Sequence, residues 1–242
     1  MWTPEYDAVL IEEAVALALR SEARVAYWSE RSKLYELEDD DGRAREFLLL
    51  ARREFESLGL DRPLERALRE RPVLAGAAGC LIVPAISARD ESAELFVRRM
   101  DSGHEERRIV IRLRPSSFAD AERLLAFLRH ELYHIADMLD PAFGYAPILE
   151  VDATPGRAQL LVSRYGALWN AIIDGRLVRE GRAAPSVREA RRREFAAAFP
   201  MLGDAGDRVF ERWFDDPFAA HGELAAFARD PRVPCATSLD ER

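Results

Sequence analysis

From about Tyr6 to Arg71 the apolar residues recur at helical spacing, as in Leu10, Ala14, Leu17 and Ala18 and again in Phe47, Leu48, Ala51 and Phe55. The acidic run Glu38-Asp39-Asp40-Asp41-Gly42 separates two of these helices, and Pro63 suits the first turn of a short third one. The apolar run Gly79 to Ile86, bounded by breakers, predicts a strand, with Pro84 marking an edge or a bulge. Two further strands, Glu94 to Met100 and Arg107 to Arg114, flank the polar turn Asp101 to Glu106, and Ile109, Ile111 and Leu113 alternate with more polar neighbours. After Pro115 the period becomes helical, with Ser117 and Asp120 at capping spacing and Pro141 as the stop. A linker from Asp140 to Pro155 precedes an apolar helix from Gln159 to Val178, and Ser186 with Glu189 opens another. Helices also fit Arg208–Phe214 and Glu223–Ala228. The chain therefore reads as α+β, mostly helical around a small antiparallel hairpin sheet. Residues 1–72 form a helical segment, 73–182 a mixed core and 183–242 a second helical segment, expected to make one compact unit.

A chain of 242 residues, 48% hydrophobic, can bury a sizeable core. No stretch approaches the ~18 uninterrupted apolar residues of a membrane span, and the opening Met1-Trp2-Thr3-Pro4-Glu5-Tyr6-Asp7 lacks a secretory layout, so a cytoplasmic location away from membranes is expected. Cys80 and Cys235 have no metal-ligand spacing and suggest neither a disulfide framework nor a thiolate-bound ion. A formal charge of −8 argues against nucleic acid as a partner. Only Lys33 among the 35 basic residues is lysine, so the run Arg191-Arg192-Arg193 reads as compositional bias on a solvated helix face.

The chemistry concentrates in His130-Glu131-Leu132-Tyr133-His134. Residues four apart share a helix face, so His130 and His134 can offer two imidazole nitrogens to one ion. Glu131 lies about 100° around the helix from His130, placed to reach a water on that ion rather than the ion itself. Zinc lowers the pKa of such a water to about 7, and a carboxylate beside it can take the proton as the water attacks a carbonyl.

These five residues, set in a helix that follows a β-hairpin, resemble the HExxH motif of zincin metallopeptidases. The resemblance implies a zinc-dependent hydrolase, with Zn2+ as cofactor, Glu131 as general base and a peptide or protein substrate lying extended along a sheet edge. The alternative is a catalytically idle binding or regulatory protein that retains the metal. A catalytic zinc needs a third protein ligand. The metzincin pattern puts it ten residues after the first histidine, at Asp140, but Asp137 stands where that pattern has glycine. If the helix continues, Asp140 lies roughly 15 Å along the axis from His130. The gluzincin pattern takes a carboxylate from a later helix, and Asp174, inside the apolar stretch of the 159–178 helix, fits that description. Aspartate departs from the gluzincin glutamate there. Pairing of Asp174 with an arginine, or a capping role, is the alternative use of this carboxylate. Glu150, Glu180 and His221 are the remaining candidates for the third ligand.

Asp137, three residues past His134, is placed either to accept a hydrogen bond from a ligand histidine or to sit exposed. Tyr145, Tyr165 and His221 are conceivable donors to an oxyanion beside zinc, and nothing in their spacing selects among them. His104 falls in the hairpin turn and reads as solvated. Substrate identity and oligomeric state are not encoded in any of these patterns.

Overall fold

The computed structural model describes residues 2–100, 103, 105–147, 154–216 and 219–232. It divides into two compact units, residues 1–135 and 136–242. The anticipated helical segment 1–72 and the first part of the central segment, 73–135, therefore share the first unit, and the division falls inside a helix rather than near residues 72 and 182.

In the first unit a two-residue strand, β1 (Glu5–Tyr6), leads into α1 (Ala8–Ala18), α2 (Ser21–Lys33), α3 (Asp40–Ser57) and α4 (Arg62–Arg69). Asp7 caps α1 by accepting from the Val9 and Leu10 N–H groups, and Asp39 does the same for α3. The acidic run at 38–42 is thus largely the cap and first turn of α3, where carboxylates oppose the helix dipole. The strands β2 (Gly79–Pro84), β3 (Ser92–Arg99) and β4 (Glu105–Leu113) follow, and α5 (Ala121–Leu139) leaves the sheet.

The α+β class stands, but the sheet is mixed. Its order is β1-β2-β4-β3, with β2 parallel to both β1 and β4 and only the β3–β4 hairpin antiparallel. β1 escapes the sequence pattern because two residues carry no periodicity. Its place depends on partners about 76 positions away, Glu5 facing Leu81 and the Asp7 N–H reaching the Ile82 carbonyl at 2.8 Å. The predicted alternation in β4 holds: Ile109, Ile111 and Leu113 are buried while their neighbours are partly wet. Ile109 and Ile111 pair with Cys80 and Ile82 of β2, and Leu10, Ile11, Ala14 and Val15 of α1 and Phe55 of α3 are buried in this unit as well. Burial pushes the Cys80 thiol up to about 12.

The second unit takes the end of α5 and adds α6 (Pro155–Arg179), α7 (Val187–Ala198), α8 (Gly206–Asp215) and α9 (His221–Arg229), the last three packed on α6. Ser186 makes no capping hydrogen bond, so the expected box with Glu189 is absent. The arginine run is not a plain solvated face either. Arg191 pairs with Asp174 and Glu194, and Arg192 pairs with Glu211 and Asp207. Among the described residues no helix is long and apolar enough to cross a membrane.

α6 and α8 touch through backbone. A Cβ built on Gly175 falls 1.8 Å from the Phe214 carbonyl oxygen, an orphan of the last turn of α8 that accepts from Arg179 Nη1 at 2.8 Å. Exchanging an exposed mid-helix glycine for alanine gains up to about 1 kcal/mol. Here the sign reverses: Gly175→Ala must push the two helices apart and should lose roughly 1–3 kcal/mol. A lowered urea midpoint with unchanged slope checks this.

Candidate metal centre

α5 is an amphipathic helix with its start fixed by Asp120, whose Oδ1 accepts from the Arg123 N–H at 3.0 Å. Ser117 does not serve as the expected cap. It lies in a 3-10 turn over Pro115–Ala119, and its hydroxyl donates instead to Glu91. Leu124, Leu125, Leu128, Leu132 and Ile135 bury one stripe, leaving His130, Glu131 and His134 half-buried on another. The end of α4 sets the rotation of this helix. Glu70 takes a two-pronged contact from Arg129, Nε to Oε2 at 2.9 Å and Nη2 to Oε1 at 2.8 Å, and the Arg71 guanidinium lies 3.7 Å over the Tyr133 ring. Residues 129 and 133 are thereby gripped on the side of the helix next to 130 and 134.

The two histidines turn their Nε2 atoms to within 3.3 Å of each other, with ring planes 75° apart. Two nitrogens each about 2.0–2.1 Å from a tetrahedral zinc stand roughly 3.3–3.4 Å apart, and the same separation suits one hydrogen bond between the two rings. Glu131 reaches the sheet: its Oε2 accepts from the Ala93 N–H of β3 at 3.4 Å. Because Ala93 pairs with Ile111 of β4 yet donates outward, the N–H and C=O groups of Leu95, Val97 and Arg99 also point away from β4, along the edge of the sheet that no other strand covers among the described residues. This contact to Ala93 is a site feature that sequence reasoning missed, and a main-chain donor on another element leaves no residue-type signal.

Among the described residues no group of three or more His, Cys, Asp or Glu side chains is arranged to hold a metal. The first unit supplies two imidazoles and the carboxylate of Glu131. Asp140 is excluded as a ligand by the helix itself, which runs unbroken to Leu139, and its Oδ1 caps the following turn through the Ala142 N–H. Glu180 is exposed at the end of α6 and pairs with Arg182. Glu150 and His104 lie outside the described residues.

Asp174 sits in the second unit on α6, only 3% exposed, and takes Arg191 Nε on Oδ2 at 2.6 Å. Arg191 also pairs with Glu194, which accepts from Asn170 Nδ2 at 2.8 Å. The arginine partner weighed from sequence is therefore present. Asp137 is neither exposed nor bound to a histidine. It is buried at the end of α5, accepting from Trp169 Nε1 at 2.8 Å and from Arg176 Nη1 at 2.9 and 3.2 Å. Burial pushes its carboxyl up, against the pull of Arg176 and Trp169.

Tyr145, Tyr165 and His221 come together in the second unit with Phe143 and Trp169. Trp169 stacks on Phe143 and Tyr145, and the Tyr165 hydroxyl stands 2.8 Å from His221 Nδ1. Burial, and then Arg229, hold the His221 imidazole below its ordinary value, while burial pushes the Tyr165 phenol up.

Compared with protein-family models, with curated proteins and with solved structures, the chain matches none of them.

Two outcomes follow from these pairings. Asp174→Ala should destabilise by a little less than the ~3–5 kcal/mol of an orphaned buried charge, because Glu194 still partners Arg191, and chemical denaturation reads it. A histidine held below its unfolded value of about 6.5 stabilises the fold fully above that pH, and the contribution is lost on acidification, because the unfolded chain takes up a proton that the folded one resists. The melting temperature should therefore fall more steeply below about pH 6.5 in the wild type than in His221→Phe.

Proposed function

We propose that the chain is a zinc-dependent hydrolase acting on peptide bonds, with His130 and His134 as metal ligands and Glu131 as general base. The observation that supports this reading is the 3.3 Å separation of the two Nε2 atoms beside a carboxylate tied to a sheet edge. When bound, zinc lowers the pKa of a water to about 7 and polarises the carbonyl to be cleaved. Glu131 accepts the proton of the attacking water and returns it to the leaving amine. The outward main-chain groups of Leu95, Val97 and Arg99 give an extended peptide a strand to pair with, and Ala93, at the near end of that row, holds the Glu131 carboxylate beside it. The resemblance makes Asp174 the third ligand.

Purified wild-type protein should hold about one zinc per chain by elemental analysis, and His130→Ala and His134→Ala should lose it while staying folded. Glu131→Gln should keep the metal and lose hydrolysis of a peptide library; full activity in that variant refutes the mechanism. Loss of zinc in Asp174→Ala, judged on folded protein by circular dichroism, assigns the third ligand. Retention of zinc there removes Asp174 from the set.

A further inference from the structure

A pocket of about 250 Å³ opens in the first unit between the end of β4, the loop before β3 and the start of α5. It sits beside the proposed reaction centre. Phe127, in its wall, stands one turn before Glu131 on the same face of α5, and Glu91, also in its wall, is two residues before Ala93, whose N–H holds the Glu131 carboxylate. Ala88, Leu113, Leu124 and Phe127 make the apolar part of the lining.

The polar part has donors to spare. Glu91 is fully engaged: Oε1 accepts from the Arg114 N–H and the Ser117 hydroxyl, and Oε2 from Arg114 Nη2. Burial alone would push this carboxyl up, but those donors reverse the effect and hold it below the usual range. Asp120 spends Oδ1 on capping α5. By contrast Arg114, its side chain 32% exposed, meets Glu91 through Nη2 alone of its guanidinium, and the exposed guanidinium of Arg123 makes no ion pair among the described residues. Both guanidinium groups thus keep donors in reach of a ligand.

We propose that this pocket receives a carboxylate-bearing residue of the peptide lying along β3, with Arg123 and Arg114 as the groups that bind the anion. The proposal rests on the hydrolase reading for the course of the peptide. The exposed guanidinium donors of Arg123 and Arg114 can take an acceptor, and the apolar lining accommodates a short methylene stem. The carboxylates of Glu91 and Asp120 in the same wall offset the two arginines, which weighs against a phosphate dianion, and the donors already on Glu91 leave that carboxylate little room for a lysine. The carboxylate can belong to a glutamate or aspartate side chain or to a peptide C-terminus.

Isothermal titration calorimetry on the full chain carrying Glu131→Gln tests this without turnover. The probes are four hexapeptides: three blocked at both ends, with Glu, Gln or Lys amid alanines, and an all-alanine peptide with a free C-terminal carboxylate. The Glu peptide should bind roughly tenfold more tightly than the Gln and Lys peptides. Tight binding of the all-alanine peptide with the Glu peptide no better than Gln assigns the terminal carboxylate instead. Adding Arg123→Gln, an exposed change that leaves the core alone, should erase the preference, and Arg114→Gln should do so wherever it folds. Equal or undetectable binding of all four peptides overturns the proposal, as does a preference that survives Arg123→Gln. Zinc content separates the two readings: a carboxylate preference in a metal-free protein removes the hydrolase and keeps the pocket, whereas zinc with hydrolysis and no preference removes the pocket alone.

Discussion

The separation of two imidazole nitrogens on one turn of α5 is the constraint from which the functional reading of this chain follows. A helix places residues four apart side by side at no extra cost, but it does not fix which way their rings turn or where the helix face points. Here the face is set from outside, by Glu70 on Arg129 and Arg71 over Tyr133, both supplied by two adjacent residues at the end of α4. The core stripe of leucines on the opposite side completes the arrangement. Rotation of the helix, the bite of the histidines and the reach of Glu131 to β3 are thus one mechanical unit, and a change at Glu70 or Arg71 reaches the site without touching it.

Much of this was legible in the sequence wherever a short period or a stereochemical signal carries the information. The alternation of Ile109, Ile111 and Leu113, the switch to helical period after Pro115 and the stop before Pro141 are local patterns, and they delivered the hairpin and the helix that bears the histidines. What sequence could not supply is long-range. β1 exists because β2 offers it an edge, and a parallel β2–β4 pairing needs a crossover that no local pattern announces. The result is a mixed sheet where an antiparallel one was expected.

The same division holds at the site. The three motif residues are legible because helical geometry alone brings them together. The partners of the carboxylates are not. Asp137 and Asp174 are both buried acids in apolar surroundings, and physical chemistry requires each to have a cation or strong donors without saying which. The structure names them as Arg176 with Trp169 and as Arg191, residues 17 to 39 positions away. The arginine run that composition made look incidental supplies one of them. Capping was misread in the same way at Ser117 and Ser186: spacing identifies a residue able to cap, while Glu91 competes for the first hydroxyl.

The sheet that presents Glu131 its main-chain donor also encloses Cys80, in β2 next to the parallel β4. With its thiol pushed up to about 12, almost none of it is thiolate near pH 7, and little of the side chain meets solvent. Alkylating and oxidising reagents therefore find this sulfur only when the strands part. The rate at which it reacts becomes a clock for opening of the sheet, built into the chain without any added label.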